Sequence, residues 1–233
     1  MSLKAIFLDF KGVIINDEAI HQELVSDILL NENLRPDDTD YQQYCQGKSD
    51  RIGLRSLMAS RGRMLSEDYL TKLIENKTRS YRQKIETIAA LPLYPNLAEF
   101  LANLKEQNLF IGLISAALRS EIELILQRAK ISEYFDAIVD GEDTDRSKPE
   151  PDVYLLAIEY LNQQNPNLNL QPQECLAIEA SPVGIEAAKR ADIQVVGIAN
   201  TYPLHMLQRQ ANWTVDNLSE IELERVRKVL SRV

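Results

Sequence analysis

Strand and helix patterns alternate along the second half of the chain, and this alternation restricts the fold more than any other feature of the sequence. Apolar runs typical of strands occupy Leu109–Ser115, Ala137–Asp140, Cys175–Glu179 and Gln194–Ala199. Segments with helical periodicity separate them at Ser120–Lys130, Asp152–Asn162 and Pro182–Ala191. Repeated strand–helix units predict an α/β fold, a doubly wound parallel sheet with right-handed crossovers. Trp213–Val215 predicts a short edge strand, and Glu220–Val229 predicts the last helix.

The first half of the chain has one strand pattern, Leu3–Asp9, followed by a long helical insertion. From residue 16 to residue 88 the sequence is polar, and apolar residues recur at helical spacing, as in the run from Ile20 to Leu29, so about four helices could form a small bundle. Pro95 suits the first turn of the next helix, and Asn108 its left-handed end. We therefore predict an α/β core (residues 1–15 and 89–233) and an inserted helical cap (residues 16–88).

Composition and charge indicate what kind of partner to expect. The chain of 233 residues has a net charge of −9 with scattered Lys and Arg, which favours neither nucleic acid nor an anionic membrane as a partner. No apolar run is long enough to cross a bilayer, and the N-terminus lacks a signal-peptide pattern. Cys45 and Cys175 have no metal or redox spacing. We expect a cytoplasmic protein that acts on a small metabolite; its oligomeric state does not follow from the sequence.

Four polar residues fall at the predicted carboxyl ends of strands: Asp9, Ser115, Asp140 and Glu179. In an open parallel sheet these ends border one crevice, where ligands bind. For each residue alone, a role as a helix cap or a surface residue explains its place as well as a functional role does. Together they predict a site, and Asp9, which follows an apolar strand and precedes a glycine turn, is a candidate nucleophile.

Four motifs occur in a fixed order along the chain. Their segments are Asp9-Phe10-Lys11-Gly12-Val13-Ile14, Leu113-Ile114-Ser115, Lys148-Pro149-Glu150-Pro151-Asp152-Val153-Tyr154 and the run from Ile178 to Ala188. These segments resemble the motifs of the haloacid dehalogenase-like (HAD) phosphohydrolases. The inserted helices resemble the cap of the β-phosphoglucomutase and phosphoglycolate phosphatase-like subgroup.

The resemblance implies a reaction and a set of site residues. Asp9 would attack phosphorus and form an aspartyl-phosphate, while Ser115 and Lys148 would stabilise the phosphoryl oxygens. Backbone N–H groups of Ala116 and Ala117 would add donors. Mg²⁺ would be held by the Asp9 carboxylate, the main-chain carbonyl of Lys11 and Glu179. The substrate would be a small phosphorylated metabolite.

Two departures from the family pattern change the charge of this site. Lys11 stands where the first motif usually has a second aspartate, and Ala180 stands where the fourth motif has one. We therefore expect Mg²⁺ to bind weakly or to be dispensable, with the Lys11 ammonium taking part of its electrostatic role. A lysine with the ordinary pKa of about 10.4 holds its proton too tightly to replace a general acid. Alternatively, Lys11 points outward and is only solvated.

The insertion contributes three further candidates for substrate binding. His21 lies on the first predicted cap helix, where the subgroup often has a histidine, and a structural hydrogen bond is an equally good explanation. Lys48 and Arg51 lie in a loop that resembles the one reaching over the substrate's leaving group. Lysine and arginine on a polar helix are also commonly solvated or paired with acids.

Three functions fit the motifs. The first is a phosphohydrolase, and the second is a catalytically impaired relative that binds a phosphorylated ligand or a protein partner. The third is metal-independent substitution on carbon, as in the haloacid dehalogenases, but these carry an aromatic residue at the position of Lys11. We also predict that the cap moves about hinges near Ile15–Asp17 and Ala89–Leu93.

Overall fold

A computed structural model describes residues 2–231. Six parallel strands form one sheet in the order β3-β2-β1-β4-β5-β6. The strands are β1 (Ala5–Asp9), β2 (Phe110–Ile114), β3 (Ala137–Val139), β4 (Cys175–Glu179), β5 (Gln194–Ile198) and β6 (Trp213–Val215). Helices cover both faces, so the predicted doubly wound α/β fold is confirmed. Among the described residues, no helix combines the length and apolar character that crossing a bilayer requires.

The core helices divide between the two faces of the sheet. Helices α4 (Leu97–Glu106), α5 (Arg119–Ala129) and α9 (Leu223–Leu230) pack on one face, and α6 (Asp152–Gln164) and α7 (Pro182–Arg190) pack on the other. Successive β1 side chains therefore point to opposite faces of the sheet. Ile6 packs in the apolar cluster with α4, α5 and α9, and Phe7 packs in the cluster with α6 and α7. Gly112 of β2 leaves room for the Phe7 ring, because a Cβ there would lie 2.4 Å from it.

The insertion between β1 and α4 contains three α-helices, α1 (Glu18–Asn31), α2 (Asp50–Ser60) and α3 (Glu67–Thr87), and a π-helical turn at Tyr41–Cys45. They enclose an apolar cluster of their own. We call residues 16–88 the cap. The boundaries of the cap remain a prediction, and its separate apolar cluster supports them. The predicted core also includes residues 1 and 232–233, which lie outside the described residues.

Several element boundaries differ from the predicted ones. Asn96 is left-handed (φ +64°) and α4 begins after it, so Pro95 precedes the helix instead of lying in its first turn. Asn108 is left-handed (φ +55°), as predicted. Tyr69 lies on the exposed side of α3, and its hydroxyl donates to Glu32. The last helix starts at Leu223, three residues later than predicted.

A short helix, α8 (Leu204–Leu207), follows β5.

The two crossings between core and cap lie side by side: Ile15 and Leu93 form an antiparallel bridge, and the Asn16 amide donates to the Pro92 carbonyl at 2.8 Å. The predicted hinge segments are therefore hydrogen-bonded to each other.

Candidate active site

The carboxyl ends of the central strands form the floor of a cavity that the cap covers. Asp9 ends β1 and pairs in register with Ile114 of β2, so Ser115 follows immediately beside it. The cavity is small, about 30 Å³. Its lining residues are Asp9, Lys11, Glu18, Tyr41, Cys45, Gln46, Gly47, Lys48, Ser115, Ala116, Lys148, Ala180, Ser181 and Thr201. The cap is therefore closed over the predicted site.

Asp9 is oriented by two donors. Its Oδ1 accepts from the Phe10 amide at 2.9 Å and lies 3.1 Å from the Lys148 ammonium. The other oxygen, Oδ2, accepts no hydrogen bond from any of residues 2–231. A carboxylate with one oxygen fixed and the other without a donor, on the wall of a cavity, suits attack on a bound electrophile.

Lys148 joins Asp9 to Glu179. Its ammonium lies 2.5 Å from Glu179 Oε1, which also accepts from the Tyr154 hydroxyl. Burial and the neighbouring Asp9 carboxylate raise the pKa of Glu179 to about 8, against the opposing effect of Lys148. Burial alone would lower the pKa of Lys148, but Asp9 and Glu179 raise it. Lys148 is therefore a fixed, buried cation beside the candidate nucleophile.

Ser115 is positioned by the turn after β2. Its Oγ accepts from the Ala117 amide at 2.9 Å, so its hydroxyl proton is available for another acceptor. Ser115 and Ala116 both line the cavity. The Ala117 amide is used in holding Ser115, although we expected it to be a donor to the phosphoryl group. Asp140, also at a strand end, is held by Arg119 at 2.7 Å and is not among the lining residues of the described chain.

Lys11 lies in the cavity wall, half-buried. Burial lowers the pKa of Lys11, but the carboxylates of Asp17, Glu121, Asp50 and Asp9 outweigh it and raise the pKa above its usual value. Lys11 therefore stays protonated near neutrality. It is placed to attract an anion and is unsuited to exchanging a proton with one.

The residues at this site are a poor fit for Mg²⁺, the cofactor that the resemblance of the motifs implies. Ala180 lines the cavity with a methyl group, and a Cβ on Gly12 would lie 2.5 Å from it. Glu179 does not line the cavity of the described chain, because one oxygen is held by Lys148 and the other, without a donor, lies against Gly184. Among residues 2–231 no three Asp, Glu, His or Cys side chains are placed to hold a metal. The predicted ligands Asp9, Lys11 and Glu179 stay a prediction.

A buried polar cluster lies between cap and core, next to the cavity. His21 Nε2 lies 3.1 Å from Asp17 Oδ2, which also accepts from Tyr81, and His21 Nδ1 lies 3.0 Å from the Lys77 ammonium. Because an ammonium only donates, Nδ1 must be the acceptor, so His21 is neutral and Nε2 carries the proton. Burial, together with Lys11 and Lys77, lowers the pKa of His21 accordingly.

The same cluster carries the buried charge pair that joins the two lobes. Lys77 of α3 bonds Asp50 at 2.7 Å within the cap and lies 3.6 Å from Glu121 of the core helix α5. Among the described residues, this is the ion pair that connects cap to core with both side chains buried. His21 is thus a member of this cluster, not of the cavity wall, and its role as a substrate ligand stays a prediction.

The cap loop contributes some of the predicted residues and some that the sequence did not indicate. Lys48 lines the cavity, whereas Arg51 points to Glu67 and Thr71 and lines a separate cleft. Gln46 bridges the lobes, donating to Glu18 at 3.0 Å and accepting from the core Tyr202 at 3.1 Å. Glu18 and Gln46 escaped prediction because only the docking of the cap brings them to the cavity. Tyr154 belongs to the motif that runs from Lys148 to Tyr154, and this motif is the sequence signal that indicates its place at the site.

Comparisons with known proteins agree with this architecture. The sequence profile described as haloacid dehalogenase-like hydrolase matches residues 6–198. β-Phosphoglucomutase of Bacillus subtilis is 30% identical over 224 residues, which are 95% of this chain and 93% of that protein. A phosphorylated carbohydrates phosphatase of Thermotoga maritima is 26% identical and covers 85% of this chain and 87% of its own.

A solved structure shows the same likeness in three dimensions. The crystal structure of β-phosphoglucomutase from Clostridium difficile superposes with a TM-score of 0.85 at 25% identity, covering 100% of this chain and 98% of that one. The family profile runs from β1, which ends at Asp9, to the end of β5. With its parallel sheet, its cap and its ordered motifs, the chain belongs to the haloacid dehalogenase-like hydrolase family.

Proposed function

We propose that this protein hydrolyses a phosphate monoester of a small metabolite through an aspartyl-phosphate on Asp9. The observation that carries the proposal is the orientation of Asp9, fixed at Oδ1 by Lys148 and the Phe10 amide on the wall of a covered cavity. Its relatives with this fold include proteins named for action on phosphorylated sugars. The cap excludes bulk water, which strengthens the charge interactions inside.

The proposed reaction uses the residues present together with two water molecules. An oxygen of Asp9 attacks phosphorus, the bond from phosphorus to the ester oxygen breaks, and the departing oxygen takes a proton from water. Lys148, Lys11 and the Ser115 hydroxyl stabilise the negative charge on the phosphoryl oxygens. A second water then attacks the phosphorus of the aspartyl-phosphate, which releases inorganic phosphate and regenerates the Asp9 carboxylate. No step requires Lys11 to lose its proton.

The test is a panel of phosphorylated sugars and acids, assayed with purified protein in Mg²⁺ and in a chelator. We expect turnover that persists in the chelator, because two ammonium groups border the nucleophile. Asp9→Asn should abolish turnover and the acid-stable phosphoryl adduct that mass spectrometry detects on the Asp9 peptide. Asp27→Asn, on the exposed side of α1, is the matched control and should leave both unchanged.

A second candidate is a catalytically impaired relative that binds a phosphorylated ligand. The observation that favours it is the raised pKa of Lys11, which leaves the site without a replacement for the missing acid–base aspartate. This candidate predicts no turnover in the panel, but binding of inorganic phosphate that calorimetry detects and that Lys148→Met weakens. Turnover that depends on Asp9 would exclude it.

A further inference from the structure

Three consecutive residues after β5, Asn200-Thr201-Tyr202, contact three different parts of the site, and none of the four motifs includes them. We call residues 200–202 the β5 segment. Asn200 Nδ2 donates to the Gly12 carbonyl at 2.8 Å. Thr201 lines the cavity, and the Tyr202 hydroxyl donates to Gln46 Oε1 at 3.1 Å. One short stretch of the core therefore contacts the turn after the nucleophile strand, the cavity and the cap.

The contact with Gly12 holds the backbone turn that follows Asp9. Gly12 is left-handed (φ +84°), and a Cβ on it would lie 2.7 Å from Thr201 Oγ1. The β5 segment thus packs directly against this backbone, and Asn200 adds a donor for its carbonyl. Asp9 and Lys11 lie within three residues of Gly12, and both line the cavity. A shift of the segment would therefore move the charges that face a bound phosphoryl group.

The contact with Gln46 reaches a part of the cap that is itself held in place. The main-chain amide of Gln46 donates to the Tyr41 carbonyl at 2.8 Å, and its side chain donates to Glu18 Oε1 at 3.0 Å. Because Gln46 belongs to the cap and Tyr202 to the core, the bond between them exists only while the cap is docked. Tyr202 is not among the lining residues in the described part of the chain. Its hydroxyl therefore acts on the cavity only through its neighbours.

We infer that Asn200 and Tyr202 are positioning residues through which docking of the cap fixes the turn after Asp9. When the cap docks, the Tyr202 hydroxyl bonds Gln46 and orders the β5 segment, and Asn200 then holds the Gly12 carbonyl. Coupling of this kind travels through contiguous contacts that have two arrangements, and the bond from Tyr202 to Gln46 is the contact that closure makes. The effect on turnover rests on the proposed function, whereas the coupling itself requires no reaction.

Tyr202→Phe tests the inference, because it removes the hydroxyl and keeps the ring. The amide NMR signal of Gly12 should shift relative to the wild-type protein, in spectra recorded with and without sulfate. Sulfate affinity, measured by calorimetry, should fall about fivefold, the usual effect of losing one hydrogen bond. Tyr69→Phe is the matched control, because the Tyr69 hydroxyl donates to Glu32 within the cap, and it should change neither quantity.

Combining Tyr202→Phe with Asn200→Ala distinguishes coupling from two independent contacts. If the segment acts as a unit, breaking either end disconnects the cap from the turn, so the double variant should bind sulfate no more than about twofold more weakly than the weaker single variant. A loss equal to the product of the two single losses would overturn the inference. An identical Gly12 signal in the wild-type and Tyr202→Phe proteins would do so as well.

The outcome for the proposed function is separate. If no ester in the panel is hydrolysed while Tyr202→Phe shifts the Gly12 signal and the two substitutions are not additive, the coupling stands and the proposed function fails. If esters are hydrolysed with dependence on Asp9 and the substitutions act independently, the proposed function stands and the coupling fails. Where turnover is found, Tyr202→Phe should also lower kcat at saturating ester by about fivefold, although Tyr202 lies outside the cavity lining.

Discussion

Two positions beside Asp9 depart from the family pattern, because Lys11 and Ala180 each stand where an aspartate is usual, and both line the cavity. Ala180→Asp restores a carboxylate to the cavity wall, so Mg²⁺ should bind about tenfold more tightly or better. Calorimetric titration measures this, with Ala180→Asn as the control for size without charge. Equal Mg²⁺ affinity in the wild-type and Ala180→Asp proteins would show that this residue does not face the metal.

The double variant Lys11→Asp/Ala180→Asp rebuilds both the acid and the ligand. Mg²⁺-dependent phosphatase activity should rise, because general acid–base catalysis is typically worth about 10² to 10⁴ in rate. Lys11→Asp alone should gain less, since clustered carboxylates without a metal raise each other's pKa. Initial rates against the best ester from the panel compare the three proteins. If the native enzyme is efficient and Lys11→Asp abolishes its activity, Lys11 is a working catalytic group.

Anion binding should depend on the protonation of Glu179. Because its pKa is raised to about 8, Glu179 is neutral below that pH and adds a negative charge above it. Sulfate, which stays a dianion throughout this range, should therefore bind more weakly as pH rises from 7 to 9, by about tenfold. Glu179→Gln should bind sulfate with little pH dependence over the same interval. If the wild-type protein binds sulfate with constant affinity from pH 7 to 9, Glu179 does not change its protonation over this range.

At the scale of elements, the start of α7 against the end of β4 holds Glu179 in place. A Cβ at Gly184 would lie 1.9 Å from Glu179 Oε2, so Gly184→Ala must displace the carboxylate. We expect a loss of about 1–3 kcal/mol in the free energy of unfolding, measured in urea, together with weaker sulfate binding. The comparison is Gly62→Ala, where φ is +72° and no atom lies within 4 Å. Gly62→Ala should lower the free energy of unfolding by about 1 kcal/mol, because a side chain disfavours the left-handed backbone conformation, and it should leave sulfate binding unaltered.

The sequence predicted the core better than the cap, for a physical reason. Core strands such as β1 are buried on both faces, so their apolar runs are continuous and their ends carry the motif residues. The π-helical turn at Tyr41–Cys45 is short and polar, and no periodic pattern marks it. The surroundings of His21 depend on Lys77, far away in the chain and brought close only by the packing of α1 on α3. Glu18 likewise gains its place when the cap docks.

For the whole molecule, the cap covers the cavity beside Asp9, so we expect the cap to open when a phosphate ester binds. We expect the adjoining crossings at Ile15 and Leu93 to act as the hinge, and opening would separate and hydrate the Lys77–Glu121 pair. X-ray scattering should show a broader distance distribution for the free protein than the closed structure gives, narrowing when sulfate is added. Identical profiles with and without saturating sulfate would contradict a moving cap.

The position of β1 in the sheet also bears on how the protein is made. Among the six strands, β1 is synthesised before the others but lies between β2 and β4, and β4 begins only at Cys175. At about 5–20 residues per second, roughly 10 to 30 seconds pass between the synthesis of β1 and that of its second neighbour. During that interval an apolar strand has an unpaired edge, which is open to pairing with other chains. We therefore expect β1, the strand that ends at Asp9, to be exposed to association with other chains until β4 has been synthesised.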